Sequence, residues 1–396
     1  MEAALSHDTC HLCGAGPSLL VPGFRELPRV TSDCKPWPSG GHLFLCSGCG
    51  TIHKNTDRIW LEETARIYAD YTIYPQSGGV EQPVFVPETG GLVSRSRSLL
   101  DHLIPTLGLP EKGRLLDVGC GNGSFLRTFS TLRPGWRLAG TEFDDRYRAL
   151  VEQIPNVEGL YTGHVGDIRG SFTMAAMVHV LEHIPWPGAL LDALHEKLEP
   201  QGVLLLDLPD FYLNPFDLVV ADHCSHFTQA AVEGLLARHG FETFLVTTGW
   251  IPKERVVVAR RAEGRGQGGP FSVEAVMEQA REALGFLAAL LEAARELRSQ
   301  RPFGVFGTSI AGTWLYGGLE GDLDFWVEED PSRIGRDYLG RPILAPDQAP
   351  PGSLVLIALA PALSSVLVDK FRRAQPRVRW TVPGDAQVCQ HLRPDS

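Results

Sequence analysis

Short apolar runs alternate with longer stretches of helical spacing through the middle of the chain. The runs at 114–118, 137–141, 172–180 and 203–208 are too brief for helices and read as buried strands. Strand and helix in alternation predict an α/β fold: a Rossmann-like parallel sheet with helices on both faces. Further strands are expected at 241–248 and 255–260. A polar, glycine-rich stretch at 262–270 reads as a linker. Residues 271–300 carry apolar positions at helical spacing without proline, interrupted only by Gly285, and predict a long amphipathic helix. Beyond it, a strand–glycine–helix stretch at 302–312, strands at 322–327, 353–358 and 378–382, and a helix at 363–373 predict a second, smaller Rossmann-like unit. The last dozen residues are rich in turn-formers and read as poorly ordered. The resulting division is 1–80, 81–262, 263–301 and 302–396.

Composition narrows the function classes. At 396 residues the chain has room for two or three cores. With 36 basic and 47 acidic residues, its net charge of −11 argues against a general nucleic-acid binder, while leaving room for a local basic pocket. No apolar run reaches membrane-spanning length, and no basic-then-apolar leader opens the sequence. A cytoplasmic protein without a membrane partner is expected.

Four of the eight cysteines form two matching knuckles, Cys10-x-x-Cys13-Gly14 and Cys46-x-x-Cys49-Gly50. In a reducing compartment that pattern favours metal over disulfide. Four thiolates complete a tetrahedral site suited to structural zinc, with no open position for catalysis. The metal is expected to replace a core that so short a segment could not build. Cys34, His11, His42 and His53 are spare ligands by type, with loop or surface roles expected. Three tyrosines follow between residues 67 and 79. Tyr74, nearest the glycine turn, is the candidate to reach a ligand.

The central chemical signal is Asp117-x-Gly119-x-Gly121-x-Gly123, directly after the 114–118 strand. Glycines there let the backbone approach a ligand and point amides at it. A dehydrogenase loop has a similar setting. The arrangement resembles the nucleotide loop of the class I methyltransferases that use S-adenosylmethionine. Glu142, at the end of the second strand, is placed to accept ribose hydroxyls. The resemblance implies that Asp167 meets the adenine amino group. It also implies that His179 and His183, in Val178-His-Val-Leu-Glu-His-Ile184, lie beneath the sulfonium. Asp222 and His223 follow the fifth strand, where imidazole can act as a general base oriented by Asp222 or its neighbours.

Two zinc knuckles, a tyrosine arm, this core, a long helix and a Rossmann-like end come in an order that resembles the sugar C-methyltransferases of deoxysugar biosynthesis, across essentially the whole chain. The resemblance implies a nucleotide-linked keto-sugar held between the middle and last domains. His223 then takes the base position, Asp222 the acid before it, His183 the strand-4 histidine and Tyr74 the arm tyrosine. Departures from the family are Asp222 for its glutamate, Val220 for its tyrosine, and an arm that reads Tyr71-Thr-Ile-Tyr74, one residue longer. An oxygen-directed methyltransferase and a non-catalytic nucleotide-binding adaptor are the alternatives. Oligomeric state is left open.

Overall fold

The computed structural model describes residues 9–81, 83–86 and 91–383. The expected middle sheet is present with seven strands. Their order is Val157–Tyr161, Arg137–Thr141, Arg114–Val118, Phe172–Val178, Leu198–Pro209, Glu254–Arg261, Phe241–Thr247. The first five are parallel, and the last two close the sheet as antiparallel neighbours. Strand order reverses outward from Arg114–Val118, so a crevice opens at the carboxyl ends of the central strands.

Predicted boundaries shift where register demands it. The 203–208 strand extends to Leu198–Pro209 because it pairs along both edges. The 172–180 strand stops at Val178, and His179 turns into the left-handed region at φ 53°. The C-terminal unit has its own sheet. Phe303–Phe306, Phe325–Val327, Arg341–Leu344, Leu354–Ile357 and Arg379–Thr381 are parallel there, and Asp337–Tyr338 is an antiparallel edge. The tail beyond residue 383 lies outside the described residues.

The long helix is Val273–Leu297, continuous through the exposed Gly285. Its Met277, Ala280, Leu284, Leu287, Leu291 and Ala294 fall on one face, three or four residues apart, and are buried. That face enters a core with Val21, Phe24, Leu43, Leu45 and Ile52 of the N-terminal segment and Trp314 and Trp326 of the C-terminal unit. The N-terminal segment therefore has a hydrophobic core, which it shares. The expectation that metal alone stands in for one is corrected.

The segment's small sheet, Leu19–Val21, Leu43–Leu45 and Ile52–Lys54, gains a fourth strand from the middle domain: Ser225–His226 pairs antiparallel with Ile52–His53. His53, expected on a loop or surface, is buried in that sheet with Nε2 3.0 Å from the Ser18 hydroxyl.

Candidate active site

The glycine turn takes its form from backbone demands. Gly119, Gly121 and Gly123 have φ of 69°, 55° and 81°, which side chains other than glycine disfavour. A Cβ on Gly119 would meet Val180 at 2.6 Å, and one on Gly121 would meet Ile73 at 2.7 Å. Gly123 caps the Ser124–Leu132 helix. Asp117 is buried, and its Oδ2 has no hydrogen-bond partner among the described residues. Burial, with Glu142 adding to it, pushes its carboxyl well above the usual range. Glu142 accepts from the Gly121 amide at 2.6 Å and from the Phe143 amide at 2.9 Å. Burial raises its pKa against those two donors. An orphaned carboxylate and a second one gripping the turn suit a ligand with an ammonium group and a diol, and so fit S-adenosylmethionine. Asp167 is exposed at the end of a short turn and is not among the residues that line the cavity.

A cavity of about 770 Å³ runs from this turn to the C-terminal unit. Its wall includes Asp117, Glu142, His179, His183 and His223 on one side and Ser309, Arg333 and Leu359 on the other. The tyrosine arm spans both. Gly79 accepts from Asn122 Nδ2 at 2.7 Å, and Gln76 Nε2 donates to the Thr308 carbonyl at 2.8 Å. The arm tyrosines have separate partners. Tyr68 places its hydroxyl 2.9 Å from His183 Nδ1, and Tyr71 meets the Ser32 hydroxyl at 3.2 Å. Tyr74 lies in left-handed backbone at φ 50° beside Arg95, and burial pushes its phenol to about 12.

His183 and His223 meet edge to face, with ring centroids 4.5 Å apart. Their carboxylates are exchanged relative to chain order. Asp222 turns to His183 and is held by Ser32, whose amide and hydroxyl donate at 2.9 and 2.5 Å. His223 Nδ1 instead lies 2.6 Å from Asp217 Oδ1. Of the expected orienters, Asp222 or its neighbours, Asp222 is thus not the one that meets His223; Asp217, the acid five residues before Asp222, is. Burial lowers the His183 pKa, but Asp222 outweighs it and the net shift is upward. His179 sits between Glu182 and Glu254. Burial opposes its charge, yet chiefly Glu254 pushes it up to about 10. Glu254 also pairs with Arg95 at 3.0 Å.

The four knuckle thiols converge. Cys10 and Cys49 sulfurs are 3.8 Å apart, and those of Cys13 and Cys46 3.5 Å. Tetrahedral ligands about 2.3 Å from zinc stand about 3.8 Å apart, so the cluster fits the metal. Both knuckles close alike, with Gly14 and Gly50 amides donating to the Cys10 and Cys46 carbonyls. In the C-terminal unit, by contrast, Gly307 and Thr308 amides donate to Val327 O and Glu328 Oε1. Those two amides are engaged internally.

Residues 93–246 match the family model of a methyltransferase domain. Together with the strand order, this makes the middle unit a class I, Rossmann-like methyltransferase fold. The ubiquinone biosynthesis O-methyltransferase of Shewanella pealeana is 27% identical over 111 residues, 26% of this chain and 46% of that protein. The trans-aconitate 2-methyltransferase of Deinococcus radiodurans is 27% identical over 150 residues, 36% of this chain and 54% of that one. The chain thus spans about half the length of the curated relatives it matches. A Burkholderia thailandensis 1,6-didemethyltoxoflavin-N1-methyltransferase, solved with S-adenosylhomocysteine, is 21% identical, with a TM-score of 0.34 over 43% of this chain and 78% of that one. Among the described residues no helix is long and apolar enough to cross a membrane.

Proposed function

We propose that this chain is an S-adenosylmethionine-dependent methyltransferase acting on a small molecule, and that it methylates carbon beside the ketone of a nucleotide-linked sugar. The observation that carries the reading is the single cavity that joins the glycine turn, the His183–His223 pair and the C-terminal unit. The cofactor supplies an electrophilic methyl group; the protein's task is to position the acceptor and manage its proton.

Asp117 and Glu142 hold the cofactor's charged and hydroxyl groups. His223, with its Nδ1 on Asp217, presents Nε2 to take a proton from the acceptor carbon. His183, whose pKa is raised, donates to the oxygen on which charge develops. The Cys10–Cys13–Cys46–Cys49 cluster holds structural zinc. Two histidines with different carboxylate partners, one suited to accept and one to donate, match this division of labour.

The test is a mass-shift screen of nucleotide-linked keto-sugars with the cofactor, run on acceptors deuterated beside the ketone. Loss of the label to water in the methylated product supports carbon chemistry. Product that keeps the label at every carbon refutes it and leaves oxygen methylation, the activity named for the Shewanella relative.

A further inference from the structure

We propose that Asp217 is the positioning residue for His223: one buried carboxylate holds the Nδ1 protons of two histidines and leaves Nε2 of His223 turned to the cavity. The inference rests on His223 being the base.

Asp217 belongs to the short Pro215–Val219 turn, six residues before His223. Its side chain is fully buried. Oδ1 lies 2.6 Å from His223 Nδ1, and Oδ2 lies 2.6 Å from His226 Nδ1. An ionised carboxylate only accepts, so both nitrogens carry protons. In a neutral imidazole the other nitrogen then holds the lone pair. For His223 that nitrogen is Nε2, on a ring that lines the cavity.

His226 has a different place. It is buried, and its Nε2 has no hydrogen-bond partner among the described residues. Burial drives its pKa down to about 4, so it stays neutral and serves as the second donor. A carboxylate buried with one donor would bear a desolvation cost; with two, both oxygens are satisfied. Burial works against the charge on Asp217, yet the two histidines hold its pKa well below the usual carboxylate range.

Among the described residues, Asp217 is the only carboxylate paired with the His223 ring within 4.0 Å; that of Glu182 lies within 4.8 Å of it and 3.3 Å from His179. Asp222 is committed to Ser32 and His183. The His183 ring packs edge-on against His223. From the N-terminal sheet, Lys54 donates to the Val220 and His223 carbonyls and fixes the loop from behind. The charged or titratable groups around the pair are therefore Lys54, Glu182, His183, Asp222 and His226.

The experiment uses the full-length, zinc-loaded chain with 15N-labelled histidine, and His223→Gln assigns the His223 ring signals. At neutral pH the wild-type ring is expected to carry its proton on Nδ1 and the lone pair on Nε2. In Asp217→Asn the side-chain amide can donate to Nδ1, so the proton should move to Nε2; Asp217→Glu should restore the original form. With the acceptor that the screen identifies, Asp217→Asn should lower kcat by roughly 10⁴-fold with little change in KM. A wild-type ring protonated on Nε2 overturns the proposal without any variant, and so does an Asp217→Asn ring that keeps Nδ1–H. If wild type shows the expected tautomer but no methyl transfer to any acceptor, the failure belongs to the methyltransferase reading. The tautomer result would then still stand for Asp217.

Discussion

Asp222 precedes His223 in the chain, yet its carboxylate faces His183, with Oδ2 3.4 Å from Nδ1. The contact is buried and raises the His183 pKa. Asp222→Asn should therefore make His183 titrate at lower pH, because burial is then opposed by Glu182 without the larger effect of Asp222. Histidine NMR titration checks this. An unchanged His183 titration would assign the upward shift to another group.

The cofactor grip is testable by calorimetry. Gly121→Val introduces a side chain at φ 55° into space beside Ile73. Glu142→Ala removes the carboxylate that holds the turn. Losing one charged hydrogen bond should cost about 1–3 kcal/mol of S-adenosylmethionine binding. Unchanged affinity in both variants would contradict the assignment.

Metal analysis of protein prepared without chelator should give one zinc per chain. Cys46→Ser should lower both zinc content and melting temperature. It should also disturb the His223 loop, since His11, inside the first knuckle, lies 2.8 Å from the Ser225 hydroxyl. Metal-free protein with normal stability would sink the zinc site.

His179 links stability to pH. Burial disfavours its charge, but Glu254 and Glu182 outweigh this and raise its pKa from the ordinary 6.5 to about 10. A raised pKa gives stability that is full below 6.5 and lost as pH rises through about 10. Arg95 and Asp207 complete the group's charged surroundings. Against His179→Asn, which tolerates the left-handed backbone, wild type should hold its largest advantage below pH 6.5 and lose it by about pH 10. Denaturant titrations across that range measure the difference; a pH-independent gap would refute the charge.

The shared core predicts cooperativity. Leu290 is fully buried in the long helix. Leu290→Ala should cost about 2–5 kcal/mol. The N- and C-terminal units should lose stability together, visible as one coincident shift in hydrogen exchange. Protection lost in only one unit would show that the helix does not couple them.

Local features of this molecule were legible because local rules produce them. Three alternating glycines after an apolar run mark a turn with positive φ, and paired Cys-x-x-Cys spacing sets a tetrahedral sulfur cluster before any fold is known. The middle sheet followed from run length and alternation. Other features depend on distant partners. Asp217 reads as an ordinary loop acid until the turn folds it beneath two histidines. Tyr68, Tyr71 and Tyr74 are alike in sequence, and only helix and turn geometry send the first to His183. Gln76 carries no motif, yet it reaches across to Thr308. Val21, Phe24, Leu43, Leu45 and Ile52 find partners on a helix more than two hundred residues away. The family resemblance implied that Asp167 meets the adenine, whereas the turn leaves it exposed and outside the cavity lining.

The pairing of Ser225–His226 with Ile52–His53 means that the segment carrying His223 is woven into a sheet that the methyltransferase unit does not own. A shortened chain starting near residue 81 would keep Asp117, the glycine turn and Glu142. It would lose the strand, the lysine and the tryptophan (Lys54 and Trp60) that anchor residues 220–226. On the proposed reading, the cofactor turn would outlast removal of the N-terminal segment, whereas the loop that carries His223 would lose its anchors.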